Sequence, residues 1–335
     1  MSTATVPTTF LIISDTHDFT PTSAPIFPLH LPTPKADVLL HSGDLTSVGS
    51  IPSFRKALTM LASIPAELKL VIAGNHDLQL DQSFRTENPA NHAPGNNPQD
   101  DERRDLEYHA KAMGLMTGEL ARQAGVTYLV EGTHEFTLAS GATFKIYVSP
   151  YTPEFGDWAF AYASSEDRFN TPEDMEEGSN CKSIATNPIP DDVDIVMTHG
   201  PPQGILDLCM AGNVWCPHLL QAMKRVRPML HCFGHIHEGS GIEVVDWKVK
   251  EKEAAEEERK AMEGNRGARR KNEAVHRAFE TEWIENPYPG VWEWRVGKGF
   301  RKGETTLAVN ASIMDADYKP RNAPWRVVVD LKRAG

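Results

Sequence analysis

The chain is poor in cysteine, and its few cysteines are scattered. Its 335 residues include 4 cysteines, at positions 181, 209, 216 and 232, and none of them forms a C-x-x-C pair. Disulfide-stapled folds and zinc ribbons need paired or clustered cysteines. We therefore expect reduced structural thiols and no site that depends on thiolate ligands.

Long apolar runs are missing as well. No stretch reaches the roughly 18 apolar residues that a membrane-spanning helix needs. The first nine residues also lack the basic start and apolar core of a secretory leader. From these absences we expect a soluble protein without a membrane partner, located in the cytoplasm.

Nor does the chain carry an excess of positive charge. It has 34 lysines and arginines against 46 aspartates and glutamates, which gives a net charge of −12. Nucleic-acid-binding surfaces usually show a basic excess, so a nucleic-acid partner is not expected. A small anionic substrate remains compatible with this charge, because bound metal ions would supply local positive charge.

What the chain does contain is a series of five short polar segments, each following an apolar run. The runs at 10–13, 38–40, 70–72, 195–197 and 229–233 predict buried strands. In α/β proteins, functional side chains gather at the carboxyl ends of such strands. The five segments are Asp15-Thr16-His17, Gly43-Asp44, Gly74-Asn75-His76-Asp77, Thr198-His199-Gly200 and Gly234-His235-Ile236-His237.

These residue types are metal ligands. Aspartate, neutral imidazole and a carboxamide oxygen suit ions such as Mn, Fe, Zn or Mg. Asp15 and His17 are two residues apart, so the chain must leave strand geometry for both to face one ion. Asp44 is the best candidate to bridge two ions, because one carboxylate has two oxygens. Asn75 adds a neutral oxygen and so limits the negative charge around the cations.

The order of the segments resembles the pattern of the calcineurin-like metallophosphoesterase superfamily: D-x-H, G-D, G-N-H-D/E, H and G-H-x-H. All five blocks are present, and the resemblance spans residues 9–246 and the C-terminal tail. Segments 149–160, 198–204, 227–238 and 309–312 are similar to one branch, the metallophosphoesterase-domain proteins first noted in mammalian brain. That branch is related to class III cyclic nucleotide phosphodiesterases. Some animal members carry glycine where this chain has His237, so its histidine favours an active enzyme.

The resemblance implies a fold and a metal centre. The fold would be a four-layer α/β/β/α sandwich of two mixed sheets flanked by helices. The centre would hold two divalent or trivalent ions about 3.5–4 Å apart, with Mn favoured over Fe, Zn and Mg. The expected ligands are Asp15, His17, Asp44 and His237 for one ion, and Asp44, Asn75, His199 and His235 for the other.

The expected activity is hydrolysis of a phosphoester. A hydroxide bridging the ions would attack phosphorus, and His76 would protonate the leaving group as general acid. Asp77 would orient that turn or the imidazole. Phosphodiesters, including cyclic or other nucleotides, are the leading substrates. The alternatives are a phosphomonoesterase or nuclease with the same ions, and a weakly active nucleotide-binding regulator or scaffold.

Two other branches of the superfamily fit less well. The sequence after Asp44 reads Leu-Thr-Ser-Val-Gly and lacks the Asp-Arg pair of G-D-x-x-D-R-G, which argues against a serine/threonine protein phosphatase. The same stretch lacks the metal-binding tyrosine of purple acid phosphatases.

Some residues outside the blocks are candidates for lesser roles. Aromatic residues near the predicted mouth could stack a nucleobase, but packing in the core is the favoured interpretation for them; they are Tyr151, Phe155, Trp158 and Trp215. Asn310 is a candidate to approach the site from the tail.

We expect a single domain over residues 1–335, since the ligand blocks are spread from Asp15 to His237. Helices are predicted at 53–64, 102–124 and 217–226, and loops at 79–101 and 166–187. Strands are predicted at 127–130, 136–138, 143–148, 241–249, 291–296, 305–309 and 325–331, besides those before the blocks. A charged stretch at about 250–285 predicts a helical insertion. It is a solvated hairpin in the simplest interpretation, or an arm that binds a protein partner.

Overall fold

The computed structural model describes residues 4–20, 35–86, 98–175, 180–210, 212–213, 215–252, 292–295 and 300–334. The predicted charged insertion lies almost entirely outside these residues, so its helical character stays a prediction. Within the described residues, none of the helices is both long enough and apolar enough to pass through a membrane.

The described residues form mostly strands, with a few helices between them. The strands are β1 (Thr5–Ile13), β2 (Ala36–His41), β3 (Ala66–Val71), β4 (Val126–Tyr128), β5 (Gly132–Thr137), β6 (Ala142–Ser149), β7 (Thr152–Pro153), β8 (Ala161–Tyr162), β9 (Glu166–Asp167), β10 (Lys182–Ser183), β11 (Ile195–Thr198), β12 (Leu208–Cys209), β13 (Gly212–Asn213), β14 (Leu230–Phe233), β15 (Gly241–Asp246), β16 (Trp292–Arg295), β17 (Thr305–Asn310) and β18 (Trp325–Arg333). The helices are α1 (Ile51–Ala62), α2 (Ser83–Thr86), α3 (Pro98–Thr117), α4 (Glu119–Gln123) and α5 (Pro217–Val226), with 3-10 turns at Leu78–Leu80 and His237–Gly239.

Twelve strands form one hydrogen-bonded system with two halves. One half runs β4-β3-β2-β1-β18 and the other runs β6-β11-β14-β17-β15, with β16 beside β18 and β5 beside β6. Both halves are mixed, because parallel pairs such as β1–β2 and β11–β14 lie beside antiparallel pairs such as β1–β18 and β15–β17. The halves join where the ends of β6 and β18 pair.

Alternation along the strands divides the core into three layers of side chains. In β1, Phe10 faces the other half of the sheet system, where its ring meets Phe144 of β6 at a centroid distance of 5.8 Å. Its neighbour Leu11 faces the opposite way and packs with α1 and α3. In β6, Tyr147 likewise points to the far side, against α5. Helices therefore cover both outer faces, and the predicted four-layer α/β/β/α sandwich is confirmed.

The predicted elements before the ligand blocks are present within a few residues, and three other predictions need correction. The segment predicted as a loop at 79–101 contains α2 and the start of α3. The single helix predicted at 102–124 is broken at Gly118, whose extended backbone (φ −92°, ψ −158°) begins α4. The strand predicted at 241–249 ends at Asp246, because its carboxylate accepts hydrogen bonds from the N–H groups of Lys248 and Val249.

The topology brings the ligand blocks to one place. Strands β1, β2 and β3 are parallel neighbours in one half, and β11 and β14 are parallel neighbours in the other. Each ends directly before or within one polar segment. A bridge between Ser14 and Ser312 joins the two halves next to the first segment. The carboxyl ends of the five strands thus meet where the two halves adjoin.

Lys69 is a buried cation that the sequence did not single out. It lies in β3 with 5% of its surface exposed, and its Nζ donates to the carbonyls of Leu61 and Ala124, each at 2.8 Å. These carbonyls belong to the C-terminal ends of α1 and α4, where a positive charge is favourable.

We expect Lys69→Met to lower the free energy of unfolding by about 1–3 kcal/mol, because two buried carbonyls lose their donor. Urea unfolding of the variant would measure this loss. Lys56→Met, on the exposed face of α1, is the matched control and should change stability little. An equal effect of the two substitutions would contradict the capping role of Lys69.

Candidate metal centre

The structure gathers the predicted ligands into two groups of donor atoms. The ligand atoms of Asp15, His17 and His237 lie within 4.8 Å of one another, and so do those of Asp44, His199 and His235. These groups correspond to the two ion sites expected from the sequence. The seventh predicted ligand belongs to the second group, since Asn75 Oδ1 lies 2.7 Å from His199 Nε2 and 2.8 Å from His235 Nδ1.

Asp44 lies between the two groups. Its Oδ2 is 3.5 Å from His17 Nε2, and its Oδ1 is 3.4 Å from His199 Nε2. One oxygen therefore faces each group, which is the arrangement that a bridging carboxylate requires. The backbone N–H of His76 donates to Oδ1 at 2.8 Å and fixes the carboxylate further.

Backbone carbonyls set the orientation of three histidine rings. The Nδ1 atoms of His17, His199 and His237 lie 3.3, 2.9 and 3.1 Å from carbonyl oxygens. A carbonyl can only accept, so each Nδ1 carries a hydrogen and each neutral ring keeps a lone pair on Nε2. This is how a metal-binding histidine is usually held by its surroundings. The carbonyl oxygens belong to Thr46, Ser42 and Asp315 respectively.

The resulting donor set fits cations. His199 Nε2 faces two oxygen acceptors, those of Asn75 and Asp44. His17 Nε2 is buried without a hydrogen-bond partner and faces the other oxygen of Asp44. Acceptors that converge in this way repel each other unless a proton or a metal ion lies among them. Nitrogen and oxygen donors without thiolate suit Mn, Fe, Zn or Mg.

Several ligand residues have backbone conformations that are uncommon outside glycine. Asp15, Asp44 and His235 have φ values of 53°, 53° and 67°, and that of His17 is 39°. Aspartate and histidine tolerate this left-handed region better than most residues. The chain therefore turns sharply after β1, β2 and β14, and the turn after β1 is what the two-residue spacing of Asp15 and His17 required. Such conformations persist where the surroundings over-determine them.

Two glycines of the segments allow the close approach of ligands. A Cβ on Gly74 would collide with the carboxylate of Asp44, and a Cβ on Gly234 would collide with that of Asp15. Only glycine leaves room for these carboxylates at their observed places.

His76 stands beside the donor groups with a distinct environment. It forms a third close group with His17 and Asp44. Its Nδ1 lies 2.8 Å from the Ser47 carbonyl, so Nε2 is the atom left for a substrate. The ring of Trp158 lies over the imidazole at a centroid distance of 3.9 Å and an interplanar angle of 32°.

Asp77 is directed into the turn instead of toward the ligands. Its carboxylate accepts hydrogen bonds from the N–H groups of Leu45, Thr46 and Gly74 and from the Thr46 hydroxyl. Burial and the charge of Asp44 raise the pKa of Asp77 to about 7. These bonds tie the second segment to the third. The hydrogen bonds of the Asp77 carboxylate therefore go to the turn around Asp44, as expected for a residue that orients this turn.

Asn310 is a second positioning residue. It is fully buried, and its Nδ2 donates to the Ile236 carbonyl at 2.8 Å, between the ligands His235 and His237. The sequence suggested only that it could approach the site.

The aromatic candidates divide between packing and exposure. Trp215 is 6% exposed and packs on His235 at 4.4 Å, whereas Phe155 is 69% exposed. Tyr151 lies under the Arg168 guanidinium at 3.3 Å. The sequence missed Tyr318, whose ring contacts His17 at a centroid distance of 5.0 Å. No ligand block lies near this residue in the chain, so no pattern marked it.

We expect His237→Ala to remove one ion and to keep the other. Asp15 and His17 would lose their third partner, whereas the group of Asp44, Asn75, His199 and His235 would stay complete. The metal content measured after dialysis would then fall from about two ions per chain to about one. His134→Ala, a histidine of β5 outside both groups, is the control. An unchanged metal content of the His237 variant would contradict this assignment.

In the metal-free site we expect His199 to carry a proton that a bound metal ion would displace. Burial alone would lower the pKa of His199, but the Asp44 carboxylate outweighs it and raises the pKa to about 9. The ring is therefore protonated at pH 7, and metal binding must release that proton. Metal affinity should rise with pH up to about 9. Calorimetric titration with Mn²⁺ in buffers of different ionisation enthalpy would detect the release; no release, or equal release from His199→Gln, would contradict it.

Several known proteins are similar to this chain. A human protein named metallophosphoesterase domain-containing protein 1 is 34% identical over 239 residues, which is 70% of this chain and 62% of that protein. A UPF0046 protein of Caenorhabditis elegans is 31% identical over 231 residues, 69% of this chain and 63% of that protein. A probable rhamnogalacturonate lyase C of Emericella nidulans is 32% identical over 239 residues, but these cover 71% of this chain and 18% of that protein.

The chain thus spans less than two thirds of the length of these relatives. The family model described as Calcineurin-like phosphoesterase matches residues 8–239, a range that includes all seven candidate ligands together with His76 and Asp77. This match covers well over half of the 335 residues. The chain belongs to the calcineurin-like phosphoesterase family.

Proposed function

We propose that the protein is a metal-dependent phosphoesterase that prefers phosphodiesters, including cyclic or other nucleotides. The observation that carries this proposal is the pair of donor groups joined by the Asp44 carboxylate. Two ions bound there would supply an activated water nucleophile and neutralise charge on the phosphoryl oxygens. The nitrogen and oxygen donors accept several metals, and Mn is the favoured candidate.

In this proposal His76 protonates the leaving group. The Ser47 carbonyl keeps a hydrogen on Nδ1 of His76, so proton transfer falls to Nε2. A protonated imidazole beside an anionic phosphate is a suitable donor to a departing alkoxide. The ring of Trp158 lies against one side of the imidazole in a tilted contact and limits its rotation.

Asp77 supports the same step indirectly. By binding the N–H groups of Leu45 and Gly74, its carboxylate holds the segment with Asp44 against the segment with Asn75 and His76. A change at Asp77 would therefore shift a proposed bridging ligand and the proposed acid together.

The alternatives differ in substrate more than in site. A phosphomonoesterase or a nuclease would use the same groups, and the net charge of −12 disfavours a polyanionic substrate. A weakly active regulator would be expected to lack part of the first donor group. His237 Nε2 instead lies 3.5 Å from Asp15 Oδ1, which favours an enzyme. Rates on matched monoesters, diesters and oligonucleotides of the Mn-loaded protein would decide between these substrates.

We expect His76→Ala to lower kcat by about 10²–10⁴-fold on a phosphodiester with an alkoxide leaving group, as is typical for loss of a general acid. The loss should be much smaller with p-nitrophenolate, which leaves without protonation. Metal content should be unchanged, and His134→Ala is again the control. Equal losses on both leaving groups would argue against an acid role for His76. No turnover of any phosphoester by the Mn-loaded wild type would refute the proposed function.

A further inference from the structure

Tyr318 is an exposed aromatic residue at the centre of the site. Its ring centroid lies 4.8 Å from that of His237, 5.0 Å from that of His17 and 6.2 Å from that of His76. It nevertheless keeps 56% of its surface exposed. A tyrosine that serves packing would bury most of its ring. Tyr318 instead presents much of its surface to solvent beside the proposed metal ligands and the proposed acid.

The backbone of Tyr318 has a strained conformation. Its φ is 56°, in the left-handed region, where a bulky side chain is an outlier. Conformations of this kind occur where the surroundings impose them, and they cluster at ligand-binding sites. A glycine or asparagine would satisfy the same turn with less strain, so the turn itself does not explain why tyrosine is there.

The side chain of Asp315 stabilises the turn that contains Tyr318. The carboxylate of Asp315 accepts hydrogen bonds from the N–H groups of Asp317 and Lys319, both at 2.9 Å, and from the Arg321 guanidinium at 2.7 Å. The ring of Tyr318 is thus presented by a braced turn.

The same turn is coupled to a proposed metal ligand. The carbonyl of Asp315 accepts from the N–H of Tyr318 at 2.9 Å and also from His237 Nδ1 at 3.1 Å. One oxygen therefore binds both the backbone of Tyr318 and the imidazole of His237. This explains how a residue so far along the chain is positioned against the donor group.

We propose that Tyr318 forms an aromatic subsite that binds the planar aromatic substituent of a phosphoester, with its phosphoryl group at the metal centre. This inference rests on the proposed function and specifies the substrate class as aromatic or nucleobase-bearing phosphoesters. Each aromatic ring offers a face for stacking, and a stacked base or aryl group gains affinity without sequence-specific contacts. Tyr318 lies outside the family match at residues 8–239, and the proposed preference comes from its ring and not from the ligand blocks.

The test compares three ligands that share a phosphoryl group: inorganic phosphate, methyl phosphate and phenyl phosphate. Their dissociation constants for the Mn-loaded full chain would be measured by calorimetry. We expect wild type to bind phenyl phosphate more tightly than methyl phosphate. Tyr318→Gly should weaken phenyl phosphate about tenfold, roughly 1.4 kcal/mol, and leave inorganic and methyl phosphate within about twofold. Tyr318→Phe should resemble wild type, because it keeps the ring.

The glycine variant also separates this role from a structural one. Because glycine relieves the positive φ, Tyr318→Gly should unfold at the same temperature as wild type or a higher one while it loses the aromatic preference. Tyr108→Ala, an exposed tyrosine of α3, is the matched control.

Three results would overturn the subsite. They are an equal loss for all three ligands, no loss for phenyl phosphate, or a loss in Tyr318→Phe as large as in Tyr318→Gly. The last result would assign the effect to the hydroxyl. Failure of the proposed function itself looks different, since the metal-loaded wild type would then turn over no phosphoester, whatever its preference among the three ligands.

Discussion

The rest of the site depends on one buried carboxylate that faces two ways. Each oxygen of Asp44 lies about 3.5 Å from a different imidazole, that of His17 on one side and that of His199 on the other. A buried charge of this kind is costly unless opposite charge compensates it. Burial raises the pKa of Asp44, but the neighbouring His199 outweighs this and lowers it well below its usual range. The centre is therefore built to hold positive charge.

The local geometry around Asp44 follows from that requirement. Asp44 takes a left-handed backbone conformation, and Gly74 must be glycine because a side chain there would occupy the place of the carboxylate. The Asp77 carboxylate accepts hydrogen bonds from the N–H groups around this turn. A change in any of these residues would move Asp44 relative to both donor groups. This explains why residues without any donor role are needed at fixed places in the segments.

Much of this arrangement could be predicted from the sequence, because its cause is local. A buried apolar run predicts a strand, and an aspartate or histidine that follows the run predicts where the strand ends. The layered fold followed instead from the family resemblance that these segments carry, since the runs alone predict strands and not the way in which they assemble. The break at Gly118 was missed, because an isolated glycine inside a helical pattern can also be tolerated within a continuous helix.

The supports of the site could not be predicted in the same way. Backbone carbonyls orient the rings of His17, His199 and His237. These carbonyls belong to Thr46, Ser42 and Asp315 respectively. Every residue has a carbonyl, so no residue type marks these contacts. Lys69 was missed for a related reason: a lysine in a strand is usually solvated, and only the tertiary structure brings two helix ends to its Nζ.

The proposed metal ligands and the proposed aromatic subsite lie on different parts of the fold. The proposed ligands lie at the ends of central strands, whose positions are fixed by pairing on both sides and by burial. Tyr318 lies on a turn that is braced by Asp315, and it reaches the ligands through the carbonyl that it shares with His237. A turn of this kind can change its exposed side chain without disturbing the strands behind it. Under the proposed subsite, a change of side chain at Tyr318 would alter substrate preference while the Asp315 carbonyl still holds His237 in place.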